Sequence, residues 1–224
     1  KPSEVPALKG TKPVHEFGLT FELGVGQFSR SKMCSIVPRY TVVNRMGYTL
    51  QLVQGGLEGE PNAVMELKDG ELAPYHWLDE RKPRAIRARV VPTIGTHESF
   101  STGWSGPLHP EQVGSFAVRF PPEKGSVQEG ESLRVLVVVK LRKSAAFVVF
   151  RRESDDEPQY AIDNKSSRRI KVWQVGSHPR ECGHVLHPGN RMAWCWDRPH
   201  DKHVVELAQQ DCKDTMEVKM NKFG

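Results

Sequence analysis

The sequence predicts an all-β chain of tandem β-sandwich-like repeats, and three observations predict it. The stretch Pro38 to Arg45 returns as Pro158 to Lys165, with Asn164 lying 120 residues after Asn44. Short runs alternate apolar and polar residues between Gly- and Pro-rich turns, the period of half-buried strands. No stretch combines a long helical period with capping signals. The repeat holds through Leu50/Ile170 and Gln54/Gln174, then slips by one at Leu67/Leu186, Gly70/Gly189 and Trp77/Trp196. Two copies of one unit explain a match of this length.

In order, residues 1–31 read as the end of a preceding β repeat, with Phe17 to Val25 as a strand. Lys1 is not a translation start, so the chain is expected to be part of a longer repeat array. Residues 32–152 form the first repeat, with Asn44. Its strands are expected at Ser35 to Val43, Thr49 to Gln54, Met65 to Leu67, Tyr75 to Asp79, Ala85 to Val90, Gly114 to Phe120, Leu133 to Val139 and Ala146 to Phe150. The first two suggest a hairpin about Met46-Gly47-Tyr48. Trp104-Ser105-Gly106 reads as a bend, and Arg151 to Pro158 as a charged connector. Residues 153–224 form a second, truncated repeat with Asn164, lacking counterparts of the stretch from Gly114 onward. Its later strands fall at Met192 to Asp197, Val204 to Leu207 and Thr215 to Met220.

Asparagine is depleted inside strands, yet each copy places one where a strand meets a turn. One reading is a turn clamp that caps the first hairpin. The other adds that the amide positions a bound segment. Trp194 and Trp196 alternate by two and share a face, which reads as core or as a groove wall.

The net charge is +5 over 224 residues, with both signs interspersed rather than clustered, which argues against nucleic acid. Of four cysteines, Cys34, Cys182, Cys195 and Cys212, one falls in the first unit. The repeat therefore keeps no disulfide, which favours free thiols in a reducing, cytoplasmic setting. The sequon Asn164-Lys165-Ser166 would put a sugar on the repeated asparagine, a second reason for that setting. Cys182 and His184 lack the paired spacing of a zinc site, so no metal is expected. No cofactor motif, nucleophile elbow or phosphate loop occurs, so no catalytic residue is assigned and the chain reads as a non-enzyme. Asp79 and Asp197 follow Trp77 and Trp196 in both copies, which suggests structure rather than one active site.

Taken together, Ile36 to Tyr40, Asn44-Arg45, Gln54, Trp77, Trp104-Ser105-Gly106, Tyr160 to Asn164, Gln174 and Trp196-Asp197 resemble the adaptor-binding region of the vacuolar protein sorting-associated protein 13 family. The same region is known as the SHORT-ROOT-binding domain. The resemblance implies a run of β repeats, each organised by an asparagine, in very long proteins that transfer lipids between membranes. It implies recruitment to organelle membranes and contact sites by Pro-x-Pro motifs of adaptor proteins. Asn44 and Asn164 match the family's asparagines; Tyr40, Tyr160, Arg45, Lys165, Trp194 and Trp196 are the accompanying candidates for peptide binding or repeat organisation. Two alternatives stand beside it: a structural spacer, and a module binding phosphoinositide or anionic membrane through Arg168, Arg169 and Lys171.

Overall fold

The computed structural model describes residues 10–92, 101–123, 132–154, 158–177, 183–209, 212 and 214–220. Among them, the only helical turns are the 3-10 segments Gly26–Phe28 and Pro61–Ala63, and every other regular element is a strand. β1 (Phe17–Leu23) and β2 (Lys32–Pro38) pair as an antiparallel hairpin. It rests on the tight turn between two later strands, where the Ser144 hydroxyl donates to the Leu19 carbonyl at 2.5 Å.

The first unit comprises β3 (Tyr40–Arg45), β4 (Thr49–Gln54), β5 (Met65–Leu67), β6 (Leu72–Tyr75), β7 (Ile86–Val91), β8 (Gly114–Phe120), β9 (Leu133–Arg142) and β10 (Ala145–Arg152). One sheet runs β6-β3-β10-β9-β8 and the other β5-β4-β7. Alternation decides which side chains meet between them. On β7, Ile86, Ala88 and Val90 are buried while Arg87 and Arg89 point outward. They close one core with Tyr40 and Val42 of β3, Leu50 and Leu52 of β4, and Val148 and Phe150 of β10. This is a two-sheet sandwich.

The expected hairpin at Met46-Gly47-Tyr48 is not one. Both edges of β3 are taken, by β6 and β10, and both edges of β4, by β5 and β7. The chain therefore crosses from one sheet to the other at this turn. The strand expected at Tyr75 to Asp79 ends at Tyr75, and Trp77 makes only an isolated bridge to Val14. The Trp104-Ser105-Gly106 bend lies along the free edge of β7. There the Thr102 and Ser105 hydroxyls accept from the Val90 and Ala88 N–H groups, and the Thr102 and Ser105 N–H groups donate back.

The second unit comprises β11 (Tyr160–Asp163), β12 (Ile170–Gln174), β13 (His184–Leu186), β14 (Arg191–Trp194), β15 (Val204–Gln209) and β16 (Thr215–Lys219). β11 pairs with β14, and β12 with β13 and β15, the pairings of β3 with β6 and of β4 with β5 and β7. The register repeats as well: Leu50 faces Leu67 and Ile170 faces Leu186. The strand expected at Met192 to Asp197 ends at Trp194, and Trp196 beyond it bridges Val118 of β8 in parallel.

The units meet closely at Gly106. A Cβ on this residue would stand 1.8 Å from the Asp197 carbonyl oxygen, a distance that no adjustment of a side chain relieves. Gly106→Ala should therefore separate the units, turning one cooperative urea transition into two, with the second unit melting first. A single unshifted transition would show that the contact does not couple them.

Candidate functional site

A chain that crosses between facing sheets leaves peptide groups that no ladder satisfies. Each such group costs about 1–3 kcal/mol if buried and unpaired. Asn44 answers this at the end of β3. Fully buried, it donates from Nδ2 to the carbonyls of Tyr48 at 2.8 Å and Leu67 at 2.9 Å, and accepts at Oδ1 from the Met46 N–H at 3.0 Å. Its backbone N–H donates to Glu71 and its carbonyl accepts from Gly70. One residue thus ties the β3–β4 crossing to the β5–β6 crossing. Asn164 repeats the circuit: Nδ2 to Arg168 and Leu186, Oδ1 from Ser166, and backbone bonds to Asn190 and Gly189. An amide supplies two donor hydrogens and an acceptor on one planar group, which a carboxylate or hydroxyl does not.

A second clamp sits at the other end of β4. Gln54 Nε2 donates to the Asp79 carbonyl at 2.8 Å, and its Oε1 accepts from the Leu78 and Asp79 N–H groups at 2.7 and 3.0 Å. It holds the loop that carries the chain from β6 back to β7. Gln174 does the same with Arg198, donating at 2.8 Å and accepting at 2.9 Å. The sequence displayed both glutamines in register but offered no reason for them; a buried amide at a strand end was the signal.

Of the aromatic candidates, Tyr40, Trp194 and Trp196 are buried and Tyr160 is half-buried against the second unit's core. Tyr40 packs edge-on to Trp77 at 5.5 Å, and Tyr160 to Trp196 at 5.4 Å. The Tyr40 hydroxyl also donates to Glu111, and burial together with that carboxylate pushes its pKa up. Trp194 meets Trp196 edge-on as Tyr75 meets Trp77. Trp194 and Trp196 are each 1% exposed, and of the two Trp194 borders the cleft described below. Arg45 and Lys165 are exposed beside their asparagines, and Arg45 lies opposite Arg151 of β10. Arg168 and Arg169 are exposed and Lys171 is half-buried. Asp79 is held down to about 2 by hydrogen bonds from Arg81, within its own unit, whereas Asp197 reaches across the junction to Arg119 at 2.9 Å.

Arg119 also touches His184, and burial followed by this cation holds that imidazole down to about 4. Nearby, Arg134 pairs with Glu153 at 3.3 Å, and Glu153 accepts from the Gln159 N–H. Beside these pairs a cleft of about 810 Å³ opens between β9 and β10 of the first unit and β13 and β14 of the second. Cys195 lines it with its thiol pushed up to about 12 by burial, an unreactive state. Cys34, Cys195 and Cys212 are free thiols; Cys182 and His178 lie outside the described residues. Among the described residues no three His, Cys, Asp or Glu side chains are grouped to hold a metal ion, and no helix is long and apolar enough to cross a membrane.

Residues 3–203 match the family model described as vacuolar-sorting associated protein 13, adaptor binding domain. The chain belongs to this family. This adaptor-binding domain is a binding module, not an enzyme. It is 20% identical to the intermembrane lipid transfer protein vps13A of Dictyostelium discoideum over 95% of its length, and 24% identical to vps13B of the same organism over 86%. It is 23% identical to the intermembrane lipid transfer protein VPS13 of Chaetomium thermophilum over 83%. It spans 7%, 3% and 6% of those relatives.

In the adaptor-binding domain, Asn44→Ala should remove the partner of the Leu67 carbonyl and the Met46 N–H, destabilising the first unit by about 1–3 kcal/mol for each group left buried and unpaired. Asn44→Asp keeps the acceptor but sets an oxygen against two carbonyls, so it should unfold at lower denaturant than Asn44→Ala. An aspartate variant as stable as wild type would rule out the donor role.

Proposed function

We propose that this domain recruits a lipid-transfer protein to organelle membranes and contact sites by capturing extended Pro-x-Pro segments of adaptor proteins. The match of residues 3–203 to the adaptor-binding domain carries the reading. The geometry supports it: β13 and β14 lie at the edges of their sheets, and both border the cleft between the units. An extended peptide adds to such an edge through main-chain hydrogen bonds. A proline-containing segment is already extended and loses less entropy on docking.

The asparagines act on this site unequally. Asn164 holds the Leu186 carbonyl and bonds to Asn190, and both residues border the cleft. Asn44 holds a turn of the other unit. Titration calorimetry with a Pro-x-Pro peptide and its double-alanine control should show binding only for the former. Asn164→Ala should weaken it more than Asn44→Ala at equal folded fraction. Binding of the control as strong as that of the Pro-x-Pro peptide would end the proposal, and equal losses from the two variants would move the peptide away from this cleft.

A further inference from the structure

We propose that the cleft between the units selects extended peptides carrying acidic residues, drawing them in by arginines on both of its walls. The proposal rests on the adaptor-binding reading above and adds the chemistry of the partner. Arg134 and Arg152 stand on the β9–β10 wall and Arg191 on the β14 wall. Among the described lining residues the one acid is Glu153, which is buried and already paired with Arg134. Arg152 is exposed and lies against the Tyr48 ring at 5.9 Å. Arg191 contacts Asp163 at 3.2 Å with its side chain 71% exposed, a pair that solvent screens strongly.

The described residues therefore concentrate positive charge in a concavity, where low-dielectric walls strengthen its field. Its polar groups also suit a peptide. Asn190 lies beside Arg191, and the edges of β13 and β14 flank the same space. About 810 Å³ falls within the size range of ligand-binding clefts. A bilayer, being broad and flat, presents its headgroups to convex surfaces more readily than to a recess between two units. Charge of this kind governs partner choice and association rate more than contact area does.

The test compares two peptides of equal length with the same Pro-x-Pro core, one flanked by aspartates and the other by asparagines. At low salt the aspartate peptide should bind about tenfold tighter, and its advantage should shrink as salt rises. Arg152→Gln with Arg191→Gln should erase the advantage, weakening the aspartate peptide more than the asparagine peptide. Asp155, Asp156 and Glu157 follow this wall in sequence and lie outside the described residues. A chain carrying D155N, D156N and E157Q should bind the aspartate peptide at least as tightly. Weaker binding by that chain, equal affinity for the two peptides in wild type, or an advantage that survives the arginine substitutions would overturn the proposal while leaving adaptor binding intact. Failure of both peptides would overturn the adaptor reading with it. Arginine-dependent binding of phosphatidylserine vesicles without any aspartate preference would make this a headgroup site and also overturn it.

Discussion

Crossing between two facing sheets is the constraint on which this architecture depends. A hairpin satisfies its own backbone, whereas a crossing strips peptide groups from one ladder before the next receives them. In each unit, these groups are satisfied by a side-chain amide. Asn44 and Asn164 gather two crossings at one end of the sandwich, and Gln54 and Gln174 gather the return loop at the other. Both glutamines and Asn44 are fully buried, with Asn164 nearly so, and each bonds in both directions, so these polar groups fix a single arrangement of the core instead of merely tolerating burial.

The same logic extends from within a unit to the joint between units. Trp196, two residues beyond β14, takes a parallel partner in Val118, so the first unit's large sheet touches the second unit. Arg119 then reaches Asp197 and His184, while Glu153 binds both Arg134 and the Gln159 N–H. Buried ion pairs add little net stability, because their desolvation offsets much of the attraction. Here Arg119–Asp197 links one unit to the next, and Arg134–Glu153 lines one wall of the cleft.

Much of this was legible in the sequence. The 120-residue offset marks the two units, and Thr49–Gln54, rich in strand formers, and Gly114–Phe120, which alternates, are strands as expected. What alternation does not contain is which strand pairs with which. Adjacent strands joined by a short turn read as a hairpin, and only the occupied edges of β3 and β4 turn it into a crossing. Trp194 and Trp196 share a face as expected, but whether that face looks onto core or solvent depends on Val172 of β12 and Val205 of β15, which alternation does not place against it. The role of Gly106 was equally hidden, since its constraint is a carbonyl of the other unit. The two glutamines were visible as a pattern without a mechanism.

The central claim is that side-chain amides hold the crossings closed in solution, and amide hydrogen exchange measured by NMR tests it most directly. The N–H of Met46 and that of Ser166 donate to an asparagine Oδ1 within a turn, where exchange is ordinarily fast. The account predicts that Met46 exchanges with the same free energy as Leu52 in the core of its unit, and Ser166 with that of Val172 in its own. Exchange of either at the rate of an open turn, while Leu52 and Val172 stay protected, would contradict it.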